Sequence, residues 1–371
     1  MRKAKIEEIE LLRALAFLAV VVQHAIAHYT FDPGMTPADG VAIGLLLLAV
    51  KFAVPLFVFI TGLVLFYNYD GPLRYGDFVW KRFRDIIVPY LVWTGFYFLM
   101  YHVWNHPDVS AVWEFVRLAV TGKASYHLWY VVMIFQFYLL FPLLRRAFVW
   151  LRGLLKARWQ VYAVLTLSAG LYVYLMTLVW PLNVLMEAWN VPVLTPLFTK
   201  FADRNALYFV YYFAMGAVTG LALTHWRAFL TKYRTAIWAV FAGMFAYFAY
   251  RVIGMYQYEP AFRVNFDYLF LLRPWMAVFL IVSILALYLL AMRVGTSRWA
   301  AVIGRYSFGA YLMHAYVLRQ TYFLTDGLLA GYNVTLRTVI AALLCAAVSI
   351  LATMLLAKTP LGKVVVGVRD K

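Results

Sequence analysis

Apolar runs of about 20 residues recur along the whole chain, and each is long enough to cross a lipid bilayer as an α-helix. The chain has 371 residues, of which 65% are hydrophobic and 13% are charged. A soluble domain carries about twice that charged fraction, so this chain has too few charges to cover a water-exposed surface. The apolar runs are continuous rather than alternating, which indicates helices rather than the strands of a membrane barrel. The sequence therefore predicts an all-α integral membrane protein.

We count ten candidate spans, and their even number places both termini on one side of the membrane. If the N-terminus is cytoplasmic, about two thirds of the 33 Lys and Arg residues fall in cytoplasmic loops, as the positive-inside rule requires. The sequence thus predicts a polytopic bundle of about ten transmembrane helices with both termini cytoplasmic. The candidate spans are residues 11–28, 43–67, 86–104, 128–149, 160–180, 206–224, 235–255, 274–292, 302–323 and 335–357.

We expect a single transmembrane domain over residues 1–371, with no fused soluble domain, because no linker or low-complexity tract interrupts the series of spans. The net charge of +17 would suggest a nucleic-acid partner if the protein were soluble. In a membrane protein, basic cytoplasmic loops account for such a charge. We therefore expect contact with membrane lipids and no nucleic-acid partner.

The first apolar run, "LLRALAFLAVVVQHAIAHY", contains Arg13 and His24. Eleven residues are just over three helical turns, so both side chains share one face about 16 Å apart along the axis. Ionisable side chains within a span usually face the protein interior or a wet cavity. For Arg13 the alternative is a side chain that reaches the membrane interface, and for His24 it is a hydrogen-bonded packing residue. Because they share a face, one cavity could hold both.

One further lysine, Lys51, and one further histidine, His314, lie within apolar runs. Lys51 stands in "LLAVKFAVPLFVFITGLVLF", one turn before Pro55, which removes a backbone donor from its helix and frees a carbonyl. Lys51 is either a side chain that reaches the interface or a binding group. His314 falls in the middle of the ninth candidate span and is another candidate for a polar cavity.

His127, Trp129 and Tyr130 open the fourth candidate span in "YHLWYVVMIFQFYLLFP". With the N-terminus inside, they are expected at the outer rim of the membrane. One interpretation is an aromatic belt, which commonly marks the membrane interface. The other is a surface on which a sugar stacks and forms hydrogen bonds.

Lys81, Arg82 and Arg84 stand at the cytoplasmic start of the third candidate span, in "FVWKRFRDIIVPYLVW". Cations at a helix N-terminus oppose the helix dipole, so they do not stabilise that helix. They either retain the loop in the cytoplasm and bind anionic lipid, or they hold the phosphates of a cytosolic ligand.

No metal site is expected. His24 and His28 are one turn apart, and so are His102 and His106, but no third ligand is in register and the HExxH motif is absent.

An ordered set of motifs resembles the acyltransferase family 3 membrane proteins. The motifs cover almost the whole chain, and the middle ones resemble the branch that modifies polysaccharides, which includes the membrane protein of the poly-N-acetylglucosamine operon. They are "LLRALAFLAVVVQH", "KFAVPLFVFITG", "KRFRDIIVPY", "YHLWYVVMIFQFYLLFP" and "YSFGAYLMH".

The resemblance implies transfer of an acyl group, usually acetyl, from cytosolic acyl-CoA to a hydroxyl of an extracytoplasmic or cell-surface glycan at the plasma membrane. The arginine and histidine that the family requires in its first span correspond to Arg13 and His24. The family's basic pair before the third span corresponds to Arg82 and Asp85, so here a carboxylate replaces the second cation. Lys81 and Arg84 are the neighbouring cations that could take its place.

Acyl transfer to a hydroxyl needs a base, and histidine suits this role near neutral pH. We expect His24 to be that base, with Arg13 and the Lys81–Arg84 cluster assisting donor binding; an acyl-histidine intermediate is the alternative mechanism. An exporter of polysaccharide or lipid-linked sugar, and a structural partner in a polysaccharide synthesis complex, are the competing functions. The candidate substrate-binding residues are Lys51, His127, Trp129, Tyr130 and His314.

Overall fold

A computed structural model of the chain describes residues 4–69, 71, 73–101, 110–260, 262–295 and 297–368. In those residues the structure has seventeen α-helices and no β-strand, apart from one isolated bridge between Gln257 and Arg263. The predicted all-α class is therefore confirmed.

The helices follow one another with short connections. The first nine are α1 (Glu8–Tyr29), α2 (Pro37–Val50), α3 (Ala53–Asn68), α4 (Tyr75–Arg82), α5 (Val88–Tyr101), α6 (Ser110–Thr121), α7 (Trp129–Leu154), α8 (Arg158–Thr177) and α9 (Val179–Trp189). The remaining eight are α10 (Leu194–Phe198), α11 (Val210–Leu221), α12 (Leu223–Lys232), α13 (Arg234–Ile253), α14 (Pro274–Val294), α15 (Arg298–Leu328), α16 (Val334–Leu356) and α17 (Pro360–Val366).

Each of the ten candidate spans contains a helix. Seven helical segments of the described chain are long and apolar enough to cross a bilayer, and α11 with α12, bent by 107°, would make an eighth. The chain thus passes the membrane several times. The helices α5 and α15 lie outside that set, so the number ten and the cytoplasmic termini stay predictions.

One buried carboxylate joins the beginnings of α2 and α16. Asp39 closes a capping box with Thr36, whose side chain accepts a hydrogen bond from the Asp39 backbone. The other carboxylate oxygen of Asp39 accepts hydrogen bonds from the backbone and hydroxyl of Thr335, at 3.0 and 2.7 Å. Because a buried charge is tolerated only when it is fully hydrogen-bonded, this arrangement fixes both helix starts.

The described chain packs into two compact units. The first comprises residues up to Ile60, Thr224–Leu271 and residues from Phe279 onward, and the second comprises Thr61–Leu223 and Leu272–Val278. The expected single transmembrane domain over residues 1–371 stays a prediction.

In the first unit, α1, α15 and α16 pack against one another. The backbones of α1 and α15 approach so closely at Gly304 that a Cβ there would overlap the backbone carbonyl of Glu10. Small residues permit such close contact between membrane helices. Near the same end of α1, Arg227 donates two hydrogen bonds to Glu8, at 2.7 and 2.8 Å, which gives the buried carboxylate its counter-charge.

The second unit has an aromatic core. The rings of Phe137 in α7 and Phe213 in α11 stack 4.6 Å apart, and Phe66 of α3 packs edge-on against Phe141 and Phe213. These pairs join three helices that are far apart in sequence.

We predict that Gly304→Val destabilises the protein by about 1–3 kcal/mol, because the added side chain forces α15 away from α1. The matched control is Gly327→Val in the same helix, where a Cβ meets nothing within 4 Å. The measurement is the midpoint of thermal unfolding in detergent. Equal midpoints for the two variants would show that the close contact at Gly304 does not matter for stability.

Candidate functional site

Two histidines from different helices meet in the first unit. The rings of His24 in α1 and His314 in α15 lie 5.3 Å apart between centroids, at an interplanar angle of 27°. His314 is fully buried, and its Nδ1 lies 2.6 Å from the backbone carbonyl of Tyr311. Because a carbonyl only accepts hydrogen bonds, Nδ1 of His314 must carry the proton, which leaves Nε2 as the basic nitrogen of the neutral ring.

A break between α2 and α3 lies beside the two histidines. The break covers Lys51 and Phe52, and Pro55 accounts for it because proline provides no N–H to the preceding turn. The side-chain amide of Gln23 donates a hydrogen bond of 2.6 Å to the carbonyl of Val50 at this break. Gln23 therefore supplies the Val50 carbonyl with a side-chain donor at the break.

The hydrogen bond from Gln23 to the Val50 carbonyl brings the segment of Lys51 close to His24. Gln23 precedes His24, and Val50 precedes Lys51, so the hydrogen bond between Gln23 and Val50 holds the two segments together. Lys51 lies within electrostatic range of the His24 imidazole. Two residues that the sequence singled out, His314 and Lys51, thus each lie near His24.

Arg13 lies at the other end of the same helix. Because α1 is continuous from Glu8 to Tyr29, Arg13 and His24 share a face and stand about 16 Å apart along the axis. Arg13 is half-buried. A ligand that contacts both residues must therefore extend along α1.

A polar network that sequence analysis missed lies one turn beyond His24. The His28 ring stacks on Tyr322, with centroids 3.6 Å apart, and its Nε2 lies 3.1 Å from a carboxylate oxygen of Asp326. The hydroxyl of Tyr322 donates to the backbone carbonyl of His24 at 3.0 Å. Asp326 could have indicated this network from the sequence, since a carboxylate near the end of a membrane helix is costly and needs partners.

Arg337 joins this network to α16. Its guanidinium donates to Asp326 and to Asp32, both at 2.8 Å, and lies over the ring of Tyr29 at 5.0 Å. The Tyr29 hydroxyl also donates to Asp326, at 2.8 Å. In the part of the chain that the structure describes, no three His, Cys, Asp or Glu residues are grouped so that they could hold a metal ion; His102 and His106 lie outside it.

In the second unit, Arg82 is packed among aromatic rings. Its guanidinium lies 5.6, 5.2 and 5.3 Å from the ring centroids of Tyr69, Phe78 and Tyr138. It also donates to the Tyr69 hydroxyl at 3.1 Å. Contacts of this kind stabilise a cation where it is partly shielded from water.

The neighbouring cations Lys81 and Arg84 are exposed. A π-helical segment, Phe83–Ile87, separates α4 from α5 and precedes Pro89, which lacks a backbone donor. Arg84 Nε lies 3.3 Å from the carboxylate of Asp85, the residue that departs from the expected basic pair. The cations of this segment that face solvent are thus Lys81 and Arg84.

A basic groove at the start of α4 was also missed. It has a volume of about 510 Å³, and Arg145 donates to the carbonyl of Gly71 at 2.6 Å beside it. The signal was the sequence "FPLLRR" in the second half of α7, which was interpreted only as positive-inside charge. The groove is lined by Leu73, Tyr75, Pro142, Arg145, Arg146, Val149 and Trp150.

His127 is packed rather than presented at a surface. It is 1% exposed, its Nδ1 lies 3.1 Å from the Ser125 hydroxyl, and its ring contacts Tyr97 edge-on. Trp129 and Tyr130, at the start of α7, are half-buried. All three belong to the second unit, whereas Arg13, His24, Lys51 and His314 belong to the first. Binding roles for these residues stay predictions.

Comparison with known families identifies the class of protein. The sequence matches the family 3 model described as an acyltransferase domain over residues 6–357. The chain therefore belongs to acyltransferase family 3 and is a multi-pass membrane acyltransferase. Searches of curated proteins and of solved structures found no match. The polysaccharide-modifying branch stays a prediction.

We predict that Gln23→Leu lowers stability by about 1–3 kcal/mol, because the change keeps the side-chain volume but removes the partner of the Val50 carbonyl. The control is Gln320→Leu on the exposed face of α15. Both variants are compared with the unaltered protein by thermal unfolding in detergent. If Gln23→Leu unfolds at the same temperature as Gln320→Leu, the hydrogen bond does not support the break at Lys51.

Proposed function

We propose that this acyltransferase moves an acyl group, in the first instance acetyl, from cytosolic acyl-CoA to a hydroxyl of an extracytoplasmic or cell-surface glycan. The observation that supports this most strongly is the pairing of His24 with His314 beside Lys51, in a chain of acyltransferase family 3. The protein would act in the plasma membrane, with or without a polysaccharide synthesis complex.

His24 acts as the general base in this proposal. It takes the proton of the acceptor hydroxyl while that oxygen attacks the thioester carbonyl. The carbon–sulfur bond then breaks, and the sulfur leaves as the CoA thiol with the proton that His24 carried. The neighbouring His314 has its tautomer fixed by the Tyr311 carbonyl, so Nε2 is the nitrogen through which it would orient a donor group of either substrate.

Lys51 has a separate role. Attack on the thioester places negative charge on the carbonyl oxygen, and a cation held at that point stabilises the transition state. The helix break and the hydrogen bond from Gln23 to Val50 hold the Lys51 segment beside His24. The proposed mechanism is direct transfer, and an acyl-histidine intermediate is the alternative.

The nucleotide part of acyl-CoA carries phosphates and needs cations. Lys81 and Arg84 are exposed, and Arg145 and Arg146 line the groove at the start of α4. Guanidinium groups grip phosphate oxygens with two hydrogen bonds. Arg13, three turns from His24 on α1, is the proposed donor contact in the first unit. The reaction needs no metal ion.

Trp129 and Tyr130 are the proposed stacking residues for the glycan. Their rings lie 6.4 Å apart and edge-on, so each presents a face at right angles to the other. The buried His127 would support this surface through its contact with Tyr97 rather than touch the sugar.

We predict that His24→Ala lowers acyl transfer at least about 100-fold, the usual contribution of a general base. Protein in nanodiscs is incubated with radiolabelled acetyl-CoA and an extract of cell-envelope glycans, and both labelled glycan and free CoA thiol are measured. The control is His225→Ala, an exposed histidine of α12, which should retain activity. An absence of thiol release from folded wild-type protein, with several acyl-CoA donors, would favour the exporter.

We predict that the double variant Lys81→Gln, Arg84→Gln raises KM for acetyl-CoA while KM for acetyl-pantetheine stays unchanged. Acetyl-pantetheine carries the same thioester but lacks the nucleotide phosphates, so it reports on every step except phosphate binding. The increase should be about tenfold, because two charge-assisted contacts are lost. An equal change in KM for both donors would show that Lys81 and Arg84 do not bind the nucleotide phosphates.

A further inference from the structure

Three cations surround one phenylalanine ring in the second unit. Lys123 lies in the turn before α7, while Lys200 and Arg204 lie between α10 and α11. Their charged groups stand 5.1, 5.7 and 5.0 Å from the ring centroid of Phe201. We call Lys123, Lys200 and Arg204 the Phe201 cation cluster.

The cluster holds more positive than negative charge. Arg204 forms an ion pair of 2.8 Å with Asp203, whose side chain is half-exposed. The nearby Arg117 is matched separately, since it binds both carboxylate oxygens of Glu114. Among the ion pairs of the described residues, the three cations of the cluster thus have one carboxylate partner, Asp203, which pairs with Arg204.

Proximity of like charges is costly here. Because all three cations lie within 6 Å of one centroid, no two are more than about 11 Å apart, against a screening length of about 10 Å at 0.1 M salt. Burial, together with the positive charges of Lys200 and Arg204, lowers the pKa of Lys123. Contacts with the ring stabilise each cation, but they do not remove this repulsion. A bound anion would offset the repulsion among the three cations.

Arg204 is held firmly and has capacity for a further hydrogen bond. Its side chain is 12% exposed, and its Nε is a buried donor without an acceptor among the described residues. The Gln136 side chain of α7 donates to the Arg204 carbonyl at 2.6 Å and accepts from the backbone of Ala206 at 3.3 Å. A buried donor left unsatisfied destabilises the protein, and an anionic acceptor would remove that cost.

We propose that the Phe201 cation cluster binds an anionic group, a carboxylate or a phosphate, carried by the acceptor glycan. This inference rests on the proposed function, because it names the chemical class of the acceptor. The charge distribution of the sequence predicts that this segment lies on the extracytoplasmic side, where such a glycan would arrive. Lys123 precedes Trp129 by six residues, so the anionic group would be held close to the proposed stacking surface.

The test measures binding without any acyl donor. Protein in phosphatidylcholine nanodiscs is titrated with trigalacturonate and with a glycerol-phosphate trimer, and maltotriose serves as the neutral probe of similar length. The variant is Lys123→Gln, Lys200→Gln, which leaves the buried Arg204 and its ion pair in place. The control is Lys232→Gln, which replaces the last residue of α12, a single lysine 5.2 Å from the ring of Tyr233. Unfolding midpoints establish that both variants are folded.

We expect wild type and Lys232→Gln to bind at least one anionic probe and not maltotriose. The double variant should bind that probe at least about tenfold more weakly, since two charge-assisted contacts are lost. Binding of neither anionic probe by wild type, or an unchanged Kd in the double variant, would overturn the proposal.

A repeat in nanodiscs that contain phosphatidylglycerol identifies the source of the anion. If this lipid abolishes wild-type binding of the soluble probe, the cluster is a lipid headgroup site and the proposal is wrong. Because no acyl donor is present, the outcome is independent of acyl transfer. Probe binding without transfer would reject only the proposed function, whereas transfer without lysine-dependent binding would reject only this inference.

Discussion

Every polar group inside a bilayer must find its partner within the protein, and the region around His24 shows how this requirement shapes the structure. Pro55 breaks the span that contains Lys51, and the break leaves backbone carbonyls without helical donors. Gln23 of α1 donates to Val50 at that break. Gln23 directly precedes His24. One hydrogen bond therefore both gives the Val50 carbonyl a donor and holds the Lys51 segment beside His24.

The packing of α1 against α15 depends on the same constraint. Gly304 lets the two backbones touch near one end of α1, and at the other end Asp326, Arg337 and Tyr29 satisfy one another across three helices. His24 and His314 lie between these two contacts. Their ring-to-ring distance is therefore fixed by interactions at both ends of the helix pair rather than by the histidines alone.

Features that depend on one apolar run could be predicted from the sequence. The helix around His24, the face that it shares with Arg13 and the disturbance at Lys51 all follow from periodicity and from a single proline. Short helices such as α6 lay in predicted loops, because an amphipathic segment of 12 residues has no membrane-length signal. The fold class was predicted correctly because composition decides it.

Contacts between distant segments could not be predicted. The partner of the Val50 carbonyl is 27 residues away, and two of the rings around Arg82, Tyr69 and Tyr138, come from outside its own helix α4. Lys123 likewise reaches Phe201, which follows Lys200 in the chain, from a loop separated from it by α7, α8, α9 and α10. Contacts between residues far apart in the chain depend on tertiary packing, which the local patterns of a single sequence do not reveal.

The central claim is that His24 supplies the base for acyl transfer, and chemical rescue tests it most directly. Acyl transfer by His24→Ala is measured in nanodiscs at increasing concentrations of free imidazole. The account predicts a very slow reaction without imidazole and a rate that rises in proportion to the imidazole added. Transfer by His24→Ala at the wild-type rate without imidazole would contradict it, because the reaction would then need no base at this position.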